Sequence, residues 1–444
     1  MKLTEALAWL DGHVNLETGV GFSSGRQRGA PTLTRIRELT ALLGTPQAEY
    51  PAVHITGTNG KTSTTRMVSA LLETGGASVG STTSPHLERV NERVVWNNDP
   101  IDDDELARIL SQIAEIEPFL AEPPSYFEIM IGLAFTYFAD VAVDVAVIEV
   151  GMGGTWDATN VIDAGVAVVT NVGLDHMEYL GSTRAEIALE KAGIVNAGTC
   201  LVLGETDPEL FATFAARKPD QILLRDRDFG VVSDCLAHGG RLVELRTPST
   251  TYADVFVPLH GAHQSQNAAA ALMAAEAALG AALAEDIVHA GFAAVASPGR
   301  LEVMGTQPLV LLDGAHNVAG AQALQRALDE AFGVAPRTLV VGLLRDKDAT
   351  EMLRALDVGT VEHLVCTRPP TPRALDPKTV ADAAISLGVG PDRIDVIDDV
   401  ARAVARAREV TGAEGQIVVT GSLYVVGAAR AILRAESGTS RPNP

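Results

Sequence analysis

Short apolar runs alternate with longer amphipathic segments along most of this chain. The runs "AVHIT", "DVAVIEV" and "GVAVVT" stand in the first half, and "PLVLLD", "TLVVGLL", "EHLVCT" and "GQIVVTG" follow residue 300. Helical patterns, many of them rich in Ala and Leu, separate these runs. Continuous apolar strands between helices are typical of parallel sheets whose two faces are both covered. The pattern therefore predicts an α/β protein built on parallel sheets.

The chain is too long for one ordinary hydrophobic core. Its 444 residues favour two domains. The clearest break is "AVASPGRLEV", where Pro298 and Gly299 separate a helical segment from a new series of strands. We predict a first domain over residues 1–296 and a second over 297–444. The less regular stretch "GRLVELRTPSTTYADVFVPLHG" is predicted to form antiparallel strands attached to the first domain.

The charge balance narrows the class of partner. Lys and Arg number 34 against 56 Asp and Glu, which gives a formal net charge of -22. A field of that sign repels a phosphate backbone, so no nucleic-acid partner is expected. Any anionic substrate must then be met by locally placed cations, helix N-termini or metal ions.

Cysteine usage and hydropathy indicate the compartment. The three cysteines, Cys200, Cys235 and Cys366, form neither a disulfide framework nor a CxxC metal site. The most apolar long stretch is interrupted by Asp140 and Asp144, and the N-terminus lacks the apolar core of a signal peptide. We expect a cytoplasmic protein, with no membrane contact, that acts on small molecules.

One glycine-rich turn is a candidate phosphate site. In "VHITGTNGKTSTTRM" a strand should end near Thr56 and a helix should begin near Thr62. Gly57 and Gly60 allow the backbone to approach a ligand, and the helix N-terminus offers unpaired N–H groups to a phosphate. Lys61 can reach the outer phosphates.

The turn alone leaves its role open. A hydroxyl of Thr62 or Ser63 could face a magnesium ion. The general P-loop pattern, however, would need glycine where Ile55 stands, so only a shorter TGTNGK[TS] form is present. An ordinary strand–turn–helix with a surface lysine is the alternative.

Polar side chains follow several of the predicted strands. Ser84, Glu149, Asn171 and His176 all lie at such ends, where ligands of open α/β sheets bind. Together, a hydroxyl, a carboxylate and an imidazole could hold divalent cations, although each has a structural explanation on its own. Lys191 lies on a predicted helix beside an acidic neighbour, and a surface ion pair is its simplest interpretation.

Eleven ordered motifs give the chain a family resemblance over nearly its whole length. They are "LLGTPQ", "HITGTNGKTS", "TTSPHLERVNERV", "SYFEIMIGLAFTYFA", "IEVGMGGTWDATNVI", "TNVGLDHMEYLG", "IALEKAGIV", "GAHQSQNAAAAL", "SPGRLEV", "LLDGAHN" and "VTGSLYVVGAAR". The set resembles the folylpolyglutamate synthase/dihydrofolate synthase branch of the Mur ligase family. The "SPHL", "DATN" and "DGAHN" stretches favour this folate branch over the peptidoglycan ligases.

The resemblance implies both a fold and a reaction. The fold would be an N-terminal P-loop-type ATPase domain with a parallel central sheet, followed by a smaller C-terminal Rossmann-like domain that binds glutamate. The reaction would be an ATP-dependent amide ligation, in which the γ-phosphoryl group moves to a substrate carboxylate and the amine of L-glutamate attacks the acyl phosphate. ATP, Mg²⁺ (two ions) and a dihydropteroate or reduced folate substrate are implied, and a monomer is expected.

Site residues follow from the matching motifs. The triphosphate would be held by Gly57, Thr58, Asn59, Gly60 and Lys61, with Thr62 or Ser63 closing the turn. Further nucleotide contacts would come from Gln264, Asn267, Arg300 and Asp313. Magnesium ligands would be Ser84, Glu149 and His176, and Lys191 matches a lysine that is carbamylated in this family and approaches the second metal. The pterin would meet Phe127 and Asp157, and the incoming glutamate would meet His316 and Ser422. Catalysis is expected to involve Lys61, Lys191 and His316.

Alternatives remain at this point. A bifunctional enzyme acting on both dihydropteroate and reduced folates is favoured over a single-activity dihydrofolate synthase or folylpolyglutamate synthase. Another Mur-type amino-acid ligase and a non-catalytic nucleotide-binding module are the other hypotheses. Many family members read GKGS where this chain reads GKTS, so the resemblance does not say which hydroxyl meets the metal.

Overall fold

The computed structural model describes residues 1–15 and 32–436. These residues divide into two compact units. The first takes residues up to His86, Val90–Pro258 and His263–Val295, and the second takes Leu87–Arg89, Leu259–Ala262 and the chain from Ala296 onward. The predicted boundary at 296/297 stays a prediction, because the second unit also contains the short segments Leu87–Arg89 and Leu259–Ala262.

Strands and helices alternate through most of the first unit, as the hydrophobic pattern predicts. In chain order they are α1 (Leu3–Asp11), α2 (Thr34–Leu42), β1 (Ala52–Thr56), α3 (Lys61–Thr74), β2 (Val79–Thr82), β3 (Val94–Trp96), β4 (Asp99–Pro100), α4 (Asp103–Ile116), α5 (Tyr126–Asp140), β5 (Val145–Glu149), β6 (Val166–Val169), α6 (Met177–Leu180), α7 (Arg184–Lys191), β7 (Cys200–Leu203), α8 (Pro208–Ala215), β8 (Gln221–Leu224), β9 (Gly230–Ala237), β10 (Gly240–Arg246), β11 (Thr251–Val257), α9 (Ala262–Leu279) and α10 (Glu285–Ala293).

An eight-stranded sheet forms the centre of this unit. Its strand order is β4-β3-β2-β5-β1-β6-β7-β8, and the six strands from β2 to β8 in that order run parallel. Every residue of β1, β5 and β6 is buried, which agrees with their continuous apolar sequences. The carboxyl ends of these three neighbouring strands therefore lie side by side, and the candidate site residues follow them.

A separate three-stranded antiparallel sheet, in the order β11-β10-β9, lies in the same unit. It confirms the prediction of antiparallel strands in the less regular stretch. Burial alternates along most of β10, which fits a strand with one covered face, whereas β9 is largely exposed or half-buried.

The second unit is a smaller α/β unit. Its elements are β12 (Glu302–Thr306), β13 (Leu309–Leu312), α11 (Val318–Phe332), β14 (Arg337–Val341), α12 (Ala349–Ala355), β15 (His363–Cys366), α13 (Pro377–Ser386), β16 (Ile394–Val396), α14 (Val400–Val410), β17 (Gln416–Thr420) and α15 (Leu423–Glu436).

Its six-stranded sheet has the order β12-β13-β17-β14-β15-β16, and β12 alone among these strands is antiparallel to its neighbour. The last strand, β17, enters between β13 and β14, so the direction of winding changes there. Open α/β sheets bind ligands at the carboxyl ends of strands beside such a change. Across the described parts of the chain, no helix combines the length and the hydropathy needed to cross a bilayer.

Candidate active site

The glycine-rich turn joins the central strand β1 to α3. The strand ends at Thr56 and the helix begins at Lys61, within one residue of the prediction. Gly60 has φ +85°, and a Cβ there would collide with Asn267 Oδ1. A Cβ at Gly57 would likewise collide with the Thr170 hydroxyl. Only glycine fits at either position, so the turn keeps a bare backbone surface at the helix N-terminus.

Three residues that follow β6 hold the turn in place. The Asn59 carbonyl accepts hydrogen bonds from Thr170 Oγ1 (2.7 Å) and Asn171 Nδ2 (2.9 Å). The Asn59 N–H donates to Asn171 Oδ1 at 3.1 Å, and Thr58 Oγ1 donates to the Gly173 carbonyl at 3.0 Å. These bonds fix the backbone of the turn before any ligand binds, which lowers the cost of ordering it.

The predicted nucleotide pair on α9 lies directly beside this turn. Gln264 and Asn267 are both buried, and Asn267 Nδ2 donates to Gln264 Oε1 at 3.0 Å. The close approach of Asn267 to Gly60 therefore brings this predicted pair to the phosphate turn. That they contact a nucleotide stays a prediction.

The Glu149 carboxylate, at the end of β5, accepts hydrogen bonds from the phosphate turn and from the segment that follows β2. Thr62 Oγ1 donates to Glu149 Oε1 at 2.9 Å, and the Ser84 backbone N–H donates to Glu149 Oε2 at 3.3 Å. Ser63 is buried with 2% of its surface exposed. The structure thus places the Thr62 hydroxyl on the carboxylate; which of the two hydroxyls meets a metal stays a prediction.

The oxygen-rich environment of Glu149 suits a hard divalent cation. His176 directly precedes α6 and has φ +50°; that its imidazole joins Glu149 at a metal stays a prediction. No cluster of three or more His, Cys, Asp or Glu side chains suited to a metal exists in the described residues. The predicted ligand set has only two side chains of those types, so this result does not test it.

Lys191 is buried at the end of α7, with 2% of its surface exposed. Burial lowers its pKa to about 7, and the positive charge of Lys61 acts in the same direction, against the carboxylates of Asp175, Glu190 and Asp157. The simple interpretation of Lys191 as a surface ion pair is therefore wrong. At neutral pH a large fraction of this amine is uncharged.

Phe127 and Asp157, the two predicted pterin contacts, meet at Gly151. A Cβ at Gly151 would stand 2.6 Å from Phe127 Cζ and 3.1 Å from Asp157 Oδ2. Asp157 is buried, and its Oδ2 accepts the Met152 N–H at 2.8 Å. Burial raises the pKa of Asp157, while hydrogen-bond donors around it, the Thr159 hydroxyl first, act to lower it. The Phe127 ring and the Asp157 carboxylate thus both lie beside Gly151, and we call this group of three residues the pterin corner. An aromatic ring next to a carboxylate suits a flat heterocycle with N–H donors.

In the second unit, Asp313 follows β13 and organises the loop after it. Its two carboxylate oxygens accept the N–H groups of Leu301 and Ala315, each at 2.9 Å. Burial raises the pKa of Asp313, and the charge of Arg300 opposes that rise. The Arg300 guanidinium occupies the space where a side chain at Gly314 would be. The structure brings Arg300 and Asp313 together; that both contact the nucleotide stays a prediction.

His316 and Ser422 lie on two loops that touch each other. His316 Nδ1 is 2.8 Å from the Gly314 carbonyl, which can only accept, so Nδ1 carries the proton. The Gly421 N–H donates to the Ala315 carbonyl at 3.1 Å and links the two loops. Ser422 Oγ accepts the Val425 N–H at 3.3 Å and so caps the first turn of α15. That these residues meet glutamate stays a prediction.

Three residues of this region were not identified as functional from the sequence. Thr170 clamps the phosphate turn, and its position directly after an apolar strand was the available signal. His54 and Thr159 lie behind Asp157; His54 is a polar residue inside an otherwise apolar strand, where an unpaired group would be costly.

Comparisons with known proteins agree with this geometry. Residues 55–275 match the Mur ligase middle domain, and residues 299–423 match the glutamate ligase domain of Mur ligases. A dihydrofolate synthase/folylpolyglutamate synthase of Mycobacterium tuberculosis is 41% identical, and the match covers 90% of each chain. The enzyme of the same name from Bacillus subtilis is 33% identical, over 95% of this chain and 97% of that one.

A solved structure has the same fold. It is the Mycobacterium tuberculosis folylpolyglutamate synthase complexed with ADP and AMPPCP, with a TM-score of 0.90, 38% identity, and coverage of 100% of this chain and 99% of that one. The predicted two-part fold is thereby confirmed. Both the sequence and the fold comparisons lead to one assignment: this chain belongs to the folylpolyglutamate synthase/dihydrofolate synthase branch of the Mur ligase family.

Proposed function

We propose that this chain attaches L-glutamate to dihydropteroate and to reduced folates in an ATP-dependent reaction that proceeds through an acyl phosphate. The substrate carboxylate oxygen attacks the γ-phosphorus and ADP leaves. The glutamate amine then attacks the acyl carbon, an amide forms, and inorganic phosphate leaves. A carboxylate is a poor electrophile, and its phosphorylation supplies the leaving group that amide formation needs.

One observation carries the proposal. The Glu149 carboxylate is held between the Thr62 hydroxyl of the phosphate turn and the Ser84 amide. A carboxylate against a phosphate turn repels the nucleotide unless a cation lies between them, so the arrangement suits a metal–nucleotide complex better than a bare phosphate. The family to which the chain belongs consists of amide-forming ligases, and the three residues lie in the part that matches the Mur ligase middle domain, which supports the proposal.

Thr62, Ser84 and Glu149 would hold a magnesium ion, with His176 as the fourth proposed ligand. Such an ion would offset the negative charge that builds up on the phosphoryl oxygens. Lys61, whose Nζ donates to the Gly57 carbonyl at 3.1 Å, lies along the turn and would bind the same oxygens from the protein side.

Lys191 has the chemistry that carbamylation requires. Carbon dioxide reacts with a neutral amine, and the pKa of about 7 provides one near neutral pH. The carbamate would be an anion, which could approach a second magnesium ion. A buried anion would also attract Lys61, whereas the protonated amine repels it.

Gly151, Phe127 and Asp157 would bind the pterin. The ring of Phe127 covers a face of the heterocycle, and Asp157 Oδ2 accepts from its N–H groups. His316 and Ser422 are proposed to contact the incoming glutamate, and Arg300 with Asp313 to contact the nucleotide. We also propose a cytoplasmic location, with which the free thiols of the three cysteines agree, and a monomer.

A substrate panel tests the proposal. Purified protein with ATP, Mg²⁺ and L-glutamate should release ADP and phosphate when dihydropteroate is added, and the product should be heavier by one glutamyl residue. Tetrahydrofolate should serve as well if the enzyme is bifunctional; turnover with one of the two acceptors would identify a single-activity enzyme. Absence of turnover with both acceptors would refute the assignment, and activity with a uridine-nucleotide precursor would favour another Mur-type ligase.

A further inference from the structure

His54 lies in the middle of β1 and is buried, with 1% of its surface exposed. Its Nε2 is 2.8 Å from the hydroxyl oxygen of Thr159, a residue with no exposed surface. That oxygen is in turn 2.5 Å from Asp157 Oδ1, and the Thr159 N–H donates to the same Oδ1 at 3.0 Å. A continuous chain of hydrogen bonds thus runs from the central strand to the proposed pterin carboxylate.

The chemistry of the three groups fixes the direction of these bonds. The Thr159 hydroxyl has a single proton, and it donates that proton to Asp157 Oδ1. The hydroxyl oxygen then accepts from His54, which requires a proton on Nε2. Burial lowers the pKa of His54 to about 3, so the imidazole stays neutral at physiological pH and carries one ring proton.

The two oxygens of Asp157 have different partners. Oδ1 accepts two hydrogen bonds from Thr159, and Oδ2 accepts the Met152 N–H, while the Gly151 N–H also acts on the carboxylate. Oδ2 is also the oxygen that faces Gly151. The terminal torsion of an aspartate is soft and roughly two-fold, so a carboxylate without fixed partners can rotate away from a ligand. Thr159 holds that torsion.

We propose that His54 and Thr159 are positioning residues for pterin recognition, acting through Asp157. The chain fixes the carboxylate so that Oδ2 stays directed at the N–H donors of the heterocycle. Because both residues are buried, they do not touch a ligand themselves. This inference rests on the proposed function, since it assigns a role to residues behind the pterin site.

A purely structural role predicts a different outcome. The hydrogen bonds of His54 and Thr159 could serve only to hold the 151–160 loop against β1. In that case their loss would loosen the strand that leads into the phosphate turn and would weaken nucleotide binding as well. A positioning role affects the pterin alone. The ratio of the two affinities therefore separates the two roles.

Four variants make this test. Thr159→Val removes the hydroxyl and keeps the side-chain shape, and Thr159→Ser restores a hydroxyl. His54→Phe removes the donor at the start of the chain. Thr40→Val is the matched control, because Thr40 is a buried threonine whose hydroxyl bonds within its own helix, to the Ile36 carbonyl at 2.9 Å.

Isothermal titration of each variant with dihydropteroate and, separately, with ADP gives the result. Thr159→Val should raise the Kd for dihydropteroate about tenfold or more, since a hydrogen bond to a charged group is lost. The Kd for ADP should not change, Thr159→Ser should recover most of the affinity, and Thr40→Val should match the wild type. The double variant His54→Phe/Thr159→Val should bind no more weakly than Thr159→Val, because both changes break one chain.

Three results would overturn the inference. They are an unchanged dihydropteroate Kd in Thr159→Val, an equal weakening of ADP binding, and full additivity in the double variant. A wild-type protein that binds ADP but neither dihydropteroate nor tetrahydrofolate would refute the proposed function itself, and the inference with it.

Discussion

Substitution of Gly60 by alanine tests the phosphate turn most sharply. The residue has φ +85°, and a Cβ would collide with Asn267 Oδ1. Left-handed backbone costs an L-residue about 1–2 kcal/mol. The collision adds a second effect, because either Asn267 or the turn must move. If one backbone N–H then no longer reaches a phosphate oxygen, about 1.5–3 kcal/mol of binding is lost, which corresponds to a Kd for ADP raised roughly 10- to 150-fold.

Gly76 provides the matched control. It has a similar φ of +93°, and a Cβ there would meet no atom within 4 Å. Gly76→Ala therefore introduces the backbone strain without the collision. Both variants should melt at lower temperature than the wild type, and only Gly60→Ala should bind ADP more weakly in isothermal titration. Equal ADP affinity in the two variants would refute the claim that Gly60 shapes a nucleotide site.

The remaining predictions concern the metal site, the buried lysine and the pterin corner. Thr62→Val should reduce kcat at saturating Mg²⁺ far more than Ser63→Ala, because the Thr62 hydroxyl donates to the proposed metal ligand Glu149; equal losses in steady-state assays would contradict this. Lys191 has a pKa of about 7 when folded against an ordinary 10.5, so between these pH values the unfolded chain binds a proton that the folded chain lacks. Relative to Lys191→Met, the wild-type free energy of unfolding should thus rise with pH by on the order of 1.4 kcal/mol per unit in that window. Denaturant melts at two pH values in CO₂-free buffer measure this, and a pH-independent difference would count against the burial of an uncharged amine. Gly151→Ala should raise the KM for dihydropteroate and leave the KM for ATP unchanged, because its Cβ would press on the Phe127 ring; equal changes in both constants would show that the corner does not bind pterin.

Local features of the site were predictable from the sequence. The strand–turn–helix around Lys61 was placed within one residue, because a buried apolar run, two glycines and a helical pattern are all local signals. The antiparallel strands β10 and β11 were predicted in the stretch that begins at Gly240, and β9 was not. Polar residues after apolar strands, such as Glu149 and Ser84, were identified because the carboxyl ends of neighbouring parallel strands share one edge of the sheet.

What the sequence did not reveal depends on contacts between distant segments. The hydrogen bond from Thr62 to Glu149 joins residues that are 87 positions apart in the chain. The burial of Lys191 depends on how α7 packs, and a lysine beside a glutamate looks the same in sequence on a surface. His54 and Thr159 are 105 positions apart, so their hydrogen bond has no local pattern.

Transfer of oxygen from substrate to phosphate tests the central chemical claim most directly. Dihydropteroate labelled with ¹⁸O in both carboxylate oxygens would be incubated with the enzyme, ATP, Mg²⁺ and L-glutamate, and the released phosphate analysed by mass spectrometry. Formation of an acyl phosphate predicts one ¹⁸O atom in each phosphate released and one in the new amide carbonyl. Phosphate released without label, alongside amide product, would contradict the mechanism.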